Sequence, residues 1–136
     1  MYTTETILQV QYYETDKMGV VHHSNYIRYY ETARTDFIKS LGVSYRQLEE
    51  SGTAMPIINV NCRYILPATY DETLTIKTIL RELPTSRITF YYEIYNQAGK
   101  LINEGQTMLA FINQETQRPC RAPEILMERL NPLFSK

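Results

Sequence analysis

Polar and apolar residues alternate from Thr6 to Tyr13, where Gln9 and Gln11 separate Leu8, Val10 and Tyr12. A period of two predicts a half-buried strand. Glu14 to Met18 breaks the alternation, and Gly19 allows a tight turn or a close approach to a ligand. The period then changes. Tyr26, Tyr30, Ala33, Phe37 and Leu41 recur at helical spacing, and Tyr29 and Ile38 widen the stripe, which predicts an amphipathic helix of about 17 residues. Ser24 or Asn25 is placed to cap its start and Gly42 to end it. Arg28 with Glu31, and Asp36 with Lys39, have the i,i+3 spacing of pairing charges. A short second helix is predicted from Tyr45 to Glu50, with Ser44 and Gln47 at capping-box spacing and Gly52 as its stop.

Strand character then dominates to about residue 113. The segments are Met55–Leu66, Thr73–Leu83, Arg87–Asn96 and Leu101–Ile112, with turns at Pro84-Thr85-Ser86 and Gln97-Ala98-Gly99-Lys100. After Pro119 and Pro123, Ile125, Leu126, Arg129 and Leu130 return to helix spacing. One strand, one long helix, about four antiparallel strands and a small terminal helix make an α+β fold, and residues 1–136 read as one domain.

Composition narrows the function. A net charge of -1 gives no electrostatic case for nucleic acid or an anionic membrane. Cys62 and Cys120 lack metal-type spacing and read as free thiols of a reducing cytosol. The N-terminus has no signal-peptide pattern, and no apolar run approaches the ~20 residues of a membrane span. The expectation is a cytoplasmic protein. Its 12 tyrosines point toward packed surfaces that need hydroxyls at their edges, such as pockets or subunit interfaces.

Candidate chemistry concentrates at the strand-to-helix junction, which holds Asp16, Gly19 and both histidines, His22 and His23. A carboxylate beside an open helix N-terminus suits acyl transfer. The run Thr15-Asp16-x-x-Gly19-Val20-Val21-x-His23-x-x-Tyr26, followed by Tyr30-Glu31-x-Ala33-Arg34, resembles the hotdog-fold thioesterases of the 4-hydroxybenzoyl-CoA type, and within them the YbgC-like acyl-CoA thioesterases. Pro56 to Ile76 and the segment around Arg118 are also similar, so the resemblance spans essentially the whole chain. Glu14 stands where an aspartate is common, and His22 where an aromatic residue precedes the motif histidine.

The resemblance implies a curved antiparallel sheet wrapped around one long helix, and dimers with a continuous sheet that assemble into tetramers. It implies hydrolysis of acyl-CoA, or of acyl carrier protein thioesters, at the dimer interface, with no metal and no cofactor beyond the substrate's CoA. Asp16 is then the general base or nucleophile. The backbone N–H of His23 matches the oxyanion donor, and the His23 side chain matches a group that orients substrate or protonates the leaving sulfur. Gly19, Val21 and Tyr26 fall at substrate-binding positions, and Arg87, Arg118 and Arg121 are candidates for the CoA phosphates.

Each assignment has a structural rival. Asp16 could simply bond its own turn, and His23 could be a hydrogen-bonded loop histidine. Tyr26 and Tyr30 could be core, and the arginines plain solvated side chains. Glu31 matches the helix glutamate of a related hotdog branch, but Arg28 and Arg34 are spaced to pair with it. A His22/His23 metal site is not expected, because adjacent side chains should diverge. Outside the enzyme class, the alternative is a non-catalytic acyl-CoA or acyl-carrier binding module of the same fold. A hydratase is disfavoured because its acid and histidine arrangement is not evident.

Overall fold

The computed structural model describes residues 1–135. In chain order its elements are β1 (Tyr2–Gln9), a single 3-10 turn (Tyr12–Glu14), α1 (Asn25–Ser40), α2 (Tyr45–Glu50), β2 (Thr53–Ala54), β3 (Ile57–Tyr64), β4 (Thr73–Leu80), β5 (Arg87–Tyr95), β6 (Leu101–Ala110), β7 (Ile112–Asn113) and α3 (Glu124–Phe134). Five strands form one antiparallel sheet in the order β1-β4-β5-β6-β3, and β2 pairs with β7 as a small ribbon. The expected hotdog layout is the one observed.

Helix α1 lies along the inner face of the sheet because its apolar stripe matches the inward positions of the strands. Tyr26, Tyr29, Tyr30, Ala33, Phe37, Ile38 and Leu41 are all buried, against Leu74, Ile76, Ile88, Phe90, Tyr92 and Ile94. Phe37 meets Phe90 edge to face at 5.2 Å, and Tyr30 stacks on Tyr92 with ring centroids 4.3 Å apart. Fully burying one such side chain is worth about 1.5–3 kcal/mol, so this seam supplies much of the drive for α1 to dock. Strand β6 yields room for it at Gly105, where a Cβ would sit 2.5 Å from the Asn61 carbonyl and closer still to the Tyr30 hydroxyl. That hydroxyl donates to Asn103 Oδ1 and lies 3.3 Å from Cys62 Sγ, so its polar end is satisfied inside the core.

Four local expectations need correction. The first strand begins at Tyr2 rather than Thr6 and ends before Tyr12, which is 75% exposed. The chain turns away because the buried Glu14 carboxylate accepts the Gln11 N–H at 2.8 Å and winds Tyr12–Glu14 into a 3-10 turn. At the start of α1, neither Ser24 nor Asn25 caps through its side chain. Ser24 already has helical φ and ψ, its hydroxyl pairs with His22 Nδ1 at 2.8 Å, and the Asn25 amide is used elsewhere. Among the described residues, the charge pairs expected on α1 do not form. Arg34 turns inward to the Tyr45 and Tyr92 hydroxyls, Arg28 reaches Asn25 Oδ1 at 3.5 Å, and Asp36 accepts from Thr6. Exposed helical pairs gain only a few tenths of a kcal/mol, about 0.3–0.5, too little to hold long side chains against such partners. Finally, the strand expected from Met55 begins at Ile57, and Thr53–Ala54 instead pairs with Ile112–Asn113 as the separate β2–β7 ribbon. By contrast α2 forms as expected, with reciprocal Ser44–Gln47 capping at 2.9 and 3.1 Å, and Gly42 and Gly52 both adopt positive φ after their helices.

Candidate active site

The junction between β1 and α1 is built from short backbone bonds. The Asp16 N–H donates to the Val20 carbonyl at 2.9 Å and the Gly19 N–H to the Asp16 carbonyl at 3.0 Å, closing a tight loop. Gly19 takes φ +81 there, which a side chain would strain, and that is why glycine stands at this position. The loop is sewn to the rest of the fold by Val21 N–H to the Ala68 carbonyl at 2.8 Å and by His22 N–H to the Glu14 carbonyl at 2.9 Å.

Within this loop the Asp16 carboxylate is held by one oxygen. Oδ1 accepts the Met18 N–H at 2.8 Å and the Val20 N–H at 3.4 Å. Among the described residues Oδ2 has no protein partner. Asp16 therefore does form the turn, and it still presents a free oxygen. Asp16, Val21, His23 and Tyr26 line one open cavity of about 330 Å³, closed on its other side by Tyr64, Ile65, Leu66 and Pro67 at the end of β3.

His23 lies two residues before α1, next to its N-cap position Ser24. Its backbone N–H has no acceptor among the described residues, whereas those of Ser24, Asn25 and Tyr26 are taken by His22 Nδ1, the His22 carbonyl and the His23 carbonyl. The His23 ring meets Tyr64 edge on at 6.3 Å, and the Tyr64 hydroxyl donates to the His23 carbonyl at 3.3 Å. Tyr64 also packs edge to face on Tyr26 at 5.3 Å. Burial pushes both phenols up to about 12, helped by the neighbouring Cys62, so both are neutral hydroxyls throughout the physiological range. The rings of His22 and His23 do not diverge as expected. They lie 4.2 Å apart, because the chain is already coiling toward the helix at this point.

The other expected residues fall elsewhere. Glu31 is exposed on α1 and does not line the cavity, and Tyr30 is fully buried. Arg87, Arg118 and Arg121 stand at the opposite end of the sheet. Arg87 pairs with Ala110, whose N–H bonds the Pro56 carbonyl at the start of β3, and Arg118 and Arg121 belong to the segment beside Phe111. A larger hollow of about 450 Å³ on the outer face of the sheet is lined by charges already engaged, with Arg63 paired to Glu104 at 3.0 Å and Arg81 lying 3.7 Å over the Tyr91 ring.

Sequence reasoning missed three contributors. Tyr64-Ile65-Leu66-Pro67 forms the far wall, and its signal was four apolar residues at a strand end where polar turn residues are usual. Glu14 is buried, and its Oε1 accepts the Tyr29 hydroxyl at 2.9 Å. Tyr29 is pushed well up, first by burial and then by that carboxylate. Asn25 is buried beneath the loop. The last two carry polar side chains inside the fold, which an apolar-periodicity reading does not look for.

With this geometry in view, comparison with known proteins is specific. The profile of the Thioesterase-like superfamily matches residues 10–130. The chain is 33% identical over 119 residues to YneP of Bacillus subtilis (strain 168), provisionally named an acyl-CoA thioesterase, covering 88% of this chain and 86% of that one. It is 27% identical over 120 residues to the acyl-CoA thioester hydrolase YbgC of Escherichia coli O157:H7, covering 88% and 90%. The crystal structure of a DHNA-CoA thioesterase from Staphylococcus aureus superposes with a TM-score of 0.85 at 32% identity, over 100% of this chain and 97% of that one. The matched span takes in the Asp16 loop, all of α1 and the whole wall at Tyr64–Pro67, and the chain belongs to the thioesterase-like hotdog superfamily.

Proposed function

We propose that the protein hydrolyses acyl-CoA thioesters to a free acid and CoA, with Asp16 as general base or nucleophile and the His23 backbone N–H as oxyanion donor. The observation that carries this reading is the Asp16 carboxylate, anchored through Oδ1 with Oδ2 free, in a cavity also lined by His23, whose backbone N–H has no acceptor among the described residues. A thioester carbonyl set between the two has a base or nucleophile on one side and a fixed donor on the other. A thiolate leaves with little need for a proton, so one carboxylate and one peptide N–H suffice. The His23 ring, beside the same cavity, orients the substrate or protonates the departing sulfur. No metal or cofactor enters this scheme, and the free thiols of Cys62 and Cys120 fit a cytoplasmic protein.

We further propose that two copies pair through β3. This strand is bonded only to β6 and exposes Ile57, Ile58 and Tyr64, with Ile65 and Leu66 exposed just beyond it, an apolar edge that isolated sheets avoid. The opposite edge, β1, exposes Glu5 and Gln9 and a single apolar side chain, Ile7. A two-fold antiparallel pairing sets the Ile57 end of one copy beside the Tyr64 end of the other. Arg87, Arg118 and Arg121 cluster at the Ile57 end, so the second copy's arginines come to the mouth of the first copy's Asp16 cavity. That resolves their distance from Asp16 within one chain and supplies cations for the CoA phosphates.

Free-thiol release from a panel of aliphatic and aromatic acyl-CoAs tests the reaction. Release from at least one member is expected. No release from any member, with CoA binding retained, would replace the enzyme by a binding module.

A further inference from the structure

One buried polar side chain at this site has no part in the chemistry above. Asn25 opens α1 at 7% exposure. Its Nδ2 donates to the Glu14 carbonyl at 2.9 Å and to the His22 carbonyl at 3.3 Å, and its own backbone N–H donates to that same His22 carbonyl at 3.0 Å. Its Oδ1 faces the Arg28 guanidinium at 3.5 Å, so only one orientation of the amide satisfies its three side-chain contacts. Glu14 is fixed in turn, because its carboxylate accepts the Gln11 N–H and the Tyr29 hydroxyl.

The His22 carbonyl is one end of a peptide group whose other end is the His23 N–H. Peptide planarity transmits the orientation of the carbonyl to the N–H, and two donors on the oxygen draw charge toward it and make the N–H a stronger donor. We infer that Asn25 is a positioning residue for thioester hydrolysis, aligning and polarising the His22–His23 peptide so that His23 N–H stabilises the oxyanion. The inference rests on the oxyanion role proposed above. It adds the side chain that sets up a donor which no side-chain mutation can itself delete.

The test compares Asn25→Ala, Asn25→Ser and Tyr29→Phe in the full-length oligomer, using benzoyl-CoA or hexanoyl-CoA, whichever the unaltered protein turns over faster. Deleting an oxyanion donor outright costs about 10²–10³ in kcat, so weakening one should cost Asn25→Ala about 10–100-fold, with KM changed little. A serine hydroxyl can donate to the carbonyl three residues back, so Asn25→Ser should recover part of that loss. Tyr29→Phe loosens the same buried layer without touching the His22 carbonyl and should stay within about 3-fold of the unaltered kcat, as expected for a buried hydrogen bond that matters to stability rather than chemistry.

A second readout is independent of turnover. In the Asp16→Asn background, the infrared carbonyl stretch of the bound thioester should lie lower with Asn25 present than in Asp16→Asn/Asn25→Ala. An identical stretch in both, or equal kcat losses in Asn25→Ala and Tyr29→Phe, would make Asn25 structural glue and overturn the inference. If Asn25→Ala does not fold, Asn25→Leu, which fills the same space without a donor to the His22 carbonyl, overturns it equally with an unchanged kcat and an unchanged stretch. Full activity in Asp16→Asn would overturn the carboxylate's role alone, and the kinetic comparison of the Asn25 variants would still decide this inference. No turnover of either substrate by the unaltered protein would remove both.

Discussion

Two backbone N–H groups, those of Met18 and Val20, converge on a single oxygen of Asp16. The turn-forming role of this residue is therefore compatible with the proposed catalytic one, since the loop fixes Oδ1 and leaves Oδ2 without a protein partner among the described residues. Glu31, the rival carboxylate, is exposed and away from the cavity, so Glu31→Gln is expected to keep kcat within about 2-fold, as surface substitutions remote from a site generally do. Rate measurements on that variant check it, and a loss comparable to that of Asp16→Asn would return the base role to α1. A second expectation concerns pH. Burial raises Tyr26 to about 12, above the ordinary 10, so the neutral phenol is favoured in the folded state. The stability this contributes is complete below pH ~10 and is lost as pH rises toward ~12. Thermal melts should be flat to about pH 9.5 and fall beyond it, and Tyr26→Phe should flatten that alkaline fall.

At the scale of elements, α1 was legible because its burial is apolar and periodic. Every residue of the Tyr26-to-Leu41 stripe is inside, and the glycines that end both early helices take the positive φ that made them recognisable. What periodicity could not reveal is polar burial. Glu14, Asn25 and Arg34 sit inside the fold on hydrogen bonds to partners 11 or more residues away in sequence, and their residue types ordinarily mark surface. For the same reason the i,i+3 charge pairs were misjudged, since distant hydroxyls and amides outcompete weak surface ions. Removing the centre of the stripe should be severe. Phe37→Ala empties a site closed by Tyr2 and Phe90 and is expected to cost about 3–5 kcal/mol, measurable by urea unfolding. A loss below 1 kcal/mol would mean that α1 is not docked as described.

At the scale of the whole molecule, the proposed β3 pairing makes the cavity half of a site. Its wall at Tyr64–Pro67 lies at the exposed edge, and Arg87, Arg118 and Arg121 lie toward the opposite end of the sheet. Replacing Ile57 and Ile58 with lysine should break the β3 pairing and give monomers by light scattering, with activity lost although Asp16 is untouched. An active monomer would contradict a shared site. Arg118→Glu should raise KM for acyl-CoA about 10-fold with kcat little changed, the signature of uniform binding lost, and KM for acyl-pantetheine, which lacks the nucleotide phosphates, should not move.

In the proposed mechanism one anchored carboxylate does the chemistry, and the isosteric variant Asp16→Asn removes it with the least disturbance. Its kcat on the best acyl-CoA of the panel should fall by about 10²–10⁴, the range for loss of a positioned base, with KM and melting temperature nearly unchanged. Undiminished kcat in that folded variant would contradict the account.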